Sequence, residues 1–480
     1  MKEAAPRGGP DPKRWIALIY IVTATAMIVL DGSIINIALP QAQADLGISD
    51  VNRPWVITAY ALTFGGFLLL GGRVSDFFGR RRVFIVGLAG FLAASAFGGL
   101  AMNGVTLIAA RALQGASAAL LAPAALALLT TTFTQPEERA KAFSVYGAVQ
   151  GFGAAVGMLL GGFLTQYLGW RWCLFINVPI ALVVILGALG SVRESRIEAQ
   201  GAFDILGAGL SVAGLAALVY GFTLAGEGGG WLTPPTLVAV VLGGLLLVAF
   251  AIRQVRATSP LLPPRVLNDR NRAAAFLSFL LIGAGIFGMS LFLSFYLQVT
   301  LSFTPFQAGL AFLPFTIGII AGSIFASGLI PRLGEPRVMV LGLSVALAGV
   351  IWLSQVNETS GFFTFVLPAF ALMSVGLGLY FAPSSSLALL NLPETDTGVA
   401  SALVNATQQV GGALGPALLN TIFLSVISGT VLTGATTEIG GYRMVFASAA
   451  GLFALALVTV LLFARAKGGG AEERQPHTSS

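Results

Sequence analysis

Charge is scarce in this sequence: Asp, Glu, Lys and Arg together make up 10% of its 480 residues. Soluble domains carry roughly a quarter, so a water-facing surface over most of the chain is excluded. Cysteine occurs once, at Cys173, and histidine once, at His477. A lone cysteine closes no intrachain disulfide, and one residue of each kind supports neither a His/Cys zinc cluster nor histidine-ligated haem. No metal site is expected. The Gly-x-x-x-x-Gly-Lys-Ser/Thr phosphate loop is also missing, and no soluble stretch is long enough to house a nucleotide-hydrolysing domain.

What the chain has instead is apolar length. Hydrophobic residues make up 56% of it and the mean hydropathy is +0.88. Fourteen windows are long and apolar enough to span a bilayer, starting near Ile16, Trp55, Val83, Val105, Ala142, Trp172, Asp204, Thr236, Ala273, Phe306, Val338, Gly361, Gly398 and Tyr442. The fold class is therefore an all-α integral membrane protein. Lys13-Arg14 before the first window and Ala42-Gln43-Ala44 after it imitate a signal peptide, but the run from Ile16 to Leu39 exceeds the usual h-region of about 7–15 residues and reads as a retained helix.

An even number of spans puts both termini on one side. With the N-terminus inside, only Arg53, Arg171 and Arg443 of the 26 lysines and arginines fall outside, and Arg111 lies within a window. That asymmetry predicts a multi-pass protein of the cell (inner) membrane with both termini cytoplasmic. It also accounts for the net charge of +6 without a nucleic-acid partner.

Two internal echoes divide the chain. Gly79 to Leu88 matches Gly334 to Leu343 at an offset of 255 residues, and Gly153-Ala-Ala-Val-Gly157 matches Gly411-Gly-Ala-Leu-Gly415 at an offset of 258. Two matches at nearly equal offset predict two six-helix bundles, over residues 15–192 and 273–464, flanking an inserted two-helix hairpin with its linkers at 193–272. Tails at 1–14 and 465–480 complete the division. Parallel repeats of this kind belong to transporters that rock one half against the other around a midplane site.

Only two charges lie clearly within the hydrocarbon thickness. Asp31, in Val29-Leu-Asp-Gly-Ser-Ile-Ile-Asn36, is eight residues before Leu39, and Arg111 is six residues after Val105. At 1.5 Å per residue these are about 12 and about 9 Å from the outer end, so the two side chains can meet at one level. A membrane carboxylate is costly and marks a functional site by default. Beside an arginine that moves, it can take up and release a proton. The static alternatives are a structural hydrogen bond for Asp31 and a fixed counter-ion or packing donor for Arg111. With one membrane carboxylate and no membrane histidine, an enzyme is not expected.

Several stretches together resemble the major facilitator superfamily, and specifically its fourteen-helix drug:proton antiporter branch. They are Leu30 to Pro40, Gly72-Arg-Val-Ser-Asp76-Phe-Phe-Gly79-Arg80-Arg81, Arg111-Ala-Leu-Gln114-Gly115, Trp170-Arg171-Trp172 with Asn177-Val-Pro179, and Phe203-Asp204-Ile-Leu-Gly207. In the fifth window the family's Gly-Pro pair is Gly157-Met158 here, and Pro416 carries the proline only in the second half.

The resemblance implies two six-helix bundles and export of hydrophobic or amphiphilic drugs, antibiotics and antiseptics by alternating access. It implies the proton as coupling ion, carried by Asp31 with Arg111, and no other cofactor. It implies a cytoplasmic clasp formed by Gly72, Asp76, Gly79, Arg80 and Arg81, the arginines reaching to the opposite half; simple positive-inside decoration is the alternative. It also sets the fifth and tenth helices face to face, making Gly153, Gly157 and Gly161 with Gly318 and Gly322 rows for packing or gating.

Asn36, Gln114, Gln150, Asn177, Gln298, Asn405 and Gln408 are candidates for lining a cavity, or for interhelical bonds. The expected partners are a hydrophobic or cationic small molecule, protons and membrane lipid, with the chain acting as a monomer. An exporter of a lipid or endogenous metabolite, a proton-coupled importer and a channel are the competing functions.

Overall fold

The computed structural model describes residues 13–195, 204–258, 260–390, 392, 394–429 and 438–464. Residues 1–12, Phe203, and the second tail with His477 lie outside them. The described residues form helices and no strand. Fourteen of the helical spans are long and apolar enough to cross a membrane: α1 (Arg14–Leu46), α2 (Trp55–Phe78), α3 (Arg80–Gly99), α4 (Gly104–Thr132), α5 (Pro136–Tyr167), α6 (Trp172–Ser191), α7 (Ile205–Glu227), α8 (Pro234–Arg256), α9 (Arg270–Thr300), α10 (Pro305–Leu333), α11 (Glu335–Leu353), α12 (Phe362–Ala388), α13 (Gly398–Ile427) and α14 (Glu438–Phe463).

Local chemistry fixes where they start. Asn103 caps α4 by accepting from the Thr106 amide, and Thr304 caps α10 by accepting from that of Gln307. α5 begins six residues before its apolar window because Pro136 opens it and Glu137 and Glu138 fill its first turn, the chemistry that a helix N-terminus favours. α3 and α11 each begin after a glycine at positive φ, Gly79 at 103° and Gly334 at 78°, a region open to glycine at little cost. The sequence echo thus marks the same turn in both halves.

Packing repeats as well. α1 lies on α5, and α2 and α3 on α4; α9 lies on α13, and α10 and α11 on α12. Small residues make the contacts close: a Cβ on Gly153 would stand 2.7 Å from Val29 Cγ1, and one on Gly342 would stand 2.7 Å from the Gly376 carbonyl. α7 and α8 pair with each other, and α7 rests against both α2 and α13. Trp55 Nε1 donates to Thr223 Oγ1 at 3.0 Å, and Thr421 Oγ1 donates to the Phe222 carbonyl at 2.6 Å.

The α2–α3, α4–α5, α6–α7 and α8–α9 loops, with the helix turns that flank them, hold most of the described basic residues; the end they mark is called the basic end, and its opposite the far end. Hydrogen bonds between the two six-helix sets run from the far end to the middle. Thr58 Oγ1 donates to the Ala413 carbonyl at 3.1 Å, Ser294 Oγ to the Asn36 carbonyl at 2.7 Å, and the Phe306 amide to Gln166 Oε1 at 3.2 Å. The molecule is therefore joined at the far end.

Candidate functional site

Asp31 sits at mid-helix in α1, where its carboxylate is buried and faces α4 and α6. Arg111 Nη1 donates to Oδ2 at 2.5 Å, Gln114 Nε2 to Oδ1 at 2.9 Å, and Asn177 Nδ2 to the same Oδ1 at 2.8 Å. All three contacts are N–H donors, the set an ionised carboxylate accepts. Arg111 is satisfied in turn: Nε donates to the Val56 carbonyl at 3.1 Å and Nη1 to Gln114 Oε1 at 2.9 Å. Gln114 also donates to Ser95 Oγ at 2.8 Å. Two helices besides α1 thus bond the carboxylate directly, and α2 and α3 hold its donors. A buried pair of this kind is stable only when its remaining donors and acceptors are met, which these amides do.

A cavity of about 350 Å³ opens between the two sets of helices, lined from α1, α2, α4, α5, α9, α10 and α13. Its described lining mixes carboxamides and hydroxyls (Asn36, Tyr146, Gln150, Ser290, Asn405, Gln408) with apolar and aromatic side chains (Phe64, Met158, Phe287, Phe315) and includes no charged group. Tyr60 forms the partition: it lines the cavity, and its ring lies 4.4 Å from Arg111 Cζ. The ion pair thus stands one ring thickness behind the cavity wall.

The depth match brings Asp31 and Arg111 together. Asn36, Gln150, Asn405 and Gln408 line the cavity, whereas Gln114, Asn177 and Gln298 do not. The first two are consumed by the lone pairs of Asp31. Gln298 Nε2 donates to the Ile37 carbonyl at 3.2 Å and to Ser294 Oγ at 3.0 Å, in the far-end seam. The arginines do not reach across to the other half. Arg80 Nη2 pairs with Asp76 Oδ1 one turn back at 3.1 Å, and Arg81 turns to the Leu189 carbonyl of α6. With the two sets joined at the far end, these charges bond within their own set.

The glycine rows pack, but each within its own half and not against the other. Gly153, Gly157 and Gly161 seat α1 against α5, while Gly318 and Gly322 seat α12 against α10. Neither row meets the other. The α5–α10 crossing is made by Gly162 against Pro305 and Phe306 and by Gly309 against the Met158 carbonyl. A small-residue row announces a close neighbour without naming it, so this partner exchange had no signal in the sequence. Tyr60 and Ser95 were also passed over. Gln114, by contrast, stands three residues after Arg111, a spacing that puts both on one helix face and marks it as an ion-pair partner.

The model of the Major Facilitator Superfamily matches residues 21–416. The puromycin resistance protein pur8 of Streptomyces alboniger is 46% identical over 482 residues, covering 98% of this chain and 95% of the relative. The cephamycin export protein CmcT of Amycolatopsis lactamdurans is 38% identical over 418 residues, 86% of either chain. Among solved structures, a bacterial homologue of the human lysosomal transporter Spinster, inward-facing and unoccupied, superposes with a TM-score of 0.65 over 95% of this chain and 97% of that one, at 15% identity.

Proposed function

The chain belongs to the Major Facilitator Superfamily, and from that premise we propose that this transport protein exports hydrophobic or amphiphilic small molecules, antibiotics among them, in exchange for protons by alternating access. The observation that carries the reading is the pairing of a cavity without charged lining and a buried carboxylate one ring away from it. The names of the relatives, puromycin resistance and cephamycin export, support drug export. The basic end is assigned to the cytoplasm by the positive-inside rule, which makes the far-closed form an inward-facing one.

The lining favours neutral or monocationic amphiphiles: rings and methionine give apolar surface, and carboxamides from both halves satisfy hydroxyl, carbonyl or amide groups on the substrate. In the exchange, substrate enters from the cytoplasm as the proton leaves Asp31, which is then ionised and paired with Arg111. When the far end opens and substrate leaves, Asp31 takes a proton, its hold on Arg111 weakens, and the protonated form returns to the inward-facing state. Tyr60 is the element that both sites touch, so occupancy of the cavity bears on the position of Arg111.

The test is transport by purified protein in liposomes, with a weakly basic or neutral antibiotic such as puromycin as probe. A pH gradient acid on the far side drives accumulation in wild type. Equal transport without any gradient overturns proton coupling.

A further inference from the structure

Arg53 lies in the segment joining α1 to α2 at the far end, yet it is only 5% exposed. Its partners belong chiefly to the other half. Nε donates to Asn420 Oδ1 on α13 at 3.0 Å, and the guanidinium carbon stands 5.2 Å from the Phe292 ring centroid, 4.5 Å from that of Phe295 and 5.2 Å from that of Phe423. Asn420 answers by donating Nδ2 to the Asp50 carbonyl at 2.9 Å, and Asp50 Oδ1 accepts from Arg53 Nη1 at 3.3 Å.

The guanidinium is thus held by ring faces, an arrangement worth more once water is excluded. Its Nη2 is buried without a hydrogen-bond partner among the described residues, a donor that regains water when the halves part. Arg171, at the same end, bonds within its own half to Asp45 and the Ala101 carbonyl. A buried cation placed across the seam, strongly caged and incompletely bonded, suits a contact that is made and broken rather than a permanent one.

We infer that Arg53, Asn420 and the three phenylalanines form the latch that closes the far end, with Arg53 as the positioning residue that sets the balance between far-closed and far-open forms. The latch rests on the alternating-access reading. Its test uses a reporter cysteine in the cavity, Ser290→Cys, with Cys173→Ala removing the native thiol, and a membrane-impermeant maleimide applied from the far side.

Arg53→Gln and Asn420→Ala are each expected to speed far-side labelling about tenfold or more, the population shift that follows loss of one charge-assisted contact from the closed form. The double variant should gain little beyond the singles, because both remove the same contact. Phe423→Leu, which thins the cage without removing a charge, should give a smaller increase and keeps the test open if Arg53→Gln does not fold. Far-side labelling that responds to substrate in wild type but is unchanged in every variant overturns the latch and leaves alternating access standing. A reporter never labelled from the far side, with substrate and gradient present, overturns alternating access and the latch with it.

Discussion

At the residue scale one carboxylate, that of Asp31, is held by three N–H donors. The arginine is the only charge among them, so the consequences of removing it depend on whether the acid remains. Breaking a buried pair by deleting one partner typically costs about 3–5 kcal/mol, because the other charge is left uncompensated. Arg111→Gln is therefore expected to lower the thermal midpoint in detergent more than the double variant Asp31→Asn/Arg111→Gln, in which neither charge remains. Midpoints of the two singles and the double complete a mutant cycle. A double variant less stable than Arg111→Gln would mean that the pair contributes little and the amides hold this site together. Arg53 poses the same problem at a different place: burial pushes its guanidinium below the ordinary value, with Asp50 opposing. There the charge is caged by rings and paired only with the exposed Asp50 carboxylate at 3.3 Å, which fits a contact that opens.

At the element scale, two glycines five residues apart on α5, and so on different faces of it, make opposite predictions. Gly157 faces α1, where an added Cβ would lie 2.9 Å from the Leu30 carbonyl; Gly162 faces α10, where it would lie 2.9 Å from Phe306 Cα. The first contact is within one half, which the proposed cycle keeps intact, so Gly157→Ala is expected to destabilise the fold by about 1–3 kcal/mol, read as a lower thermal midpoint. In the proposed cycle the second exists only while the far end is closed. Gly162→Ala should leave the midpoint nearly unchanged and shift the protein toward the far-open form, read by far-side labelling of a cavity cysteine.

The inserted hairpin has its own anchor, Asp204, which accepts from the Gly207 amide and Gln254 Nε2, each at 2.9 Å, and pairs with Arg253. Burial alone would raise its carboxyl, but Arg253, the Gly207 amide and Gln254 outweigh it and hold it below the ordinary 3.8. A depressed folded value means stability that is present above the unfolded pKa and lost as pH falls through the folded one. Asp204→Asn should therefore melt earlier than wild type at pH 7, with the gap closing below about pH 4; a gap that stays constant with pH would assign the loss to the cap geometry alone.

At the scale of the molecule, the helices were legible because a spanning run is long and apolar, and the ion pair because two charges at one depth had nowhere else to go. Helix starts were less so: the apolar window at Val83 misses Arg80 to Arg82, which the helix includes because Gly79 sets the turn and the side chains reach the basic end. Partner choice was not legible at all. Nothing in Gly153 or Gly318 says that its neighbour is α1 or α12, and nothing in Gln298 distinguishes a seam from a cavity wall, since both need the same amide. Arg53 reads in sequence as an outer-loop charge and becomes a cross-half contact only when Phe292 and Phe423 arrive from the other half.

In the proposed exchange the energetics of the cycle rest on Asp31: one proton moved down one pH unit supplies about 1.4 kcal/mol and a potential of 100 mV about 2.3 kcal/mol more per charge. The most direct measurement of the central claim is proton release from purified protein in weak buffer on addition of substrate. Wild type is predicted to release protons as substrate binds, whereas Asp31→Asn binds the same substrate and releases none. Release of wild-type size from Asp31→Asn would contradict the account.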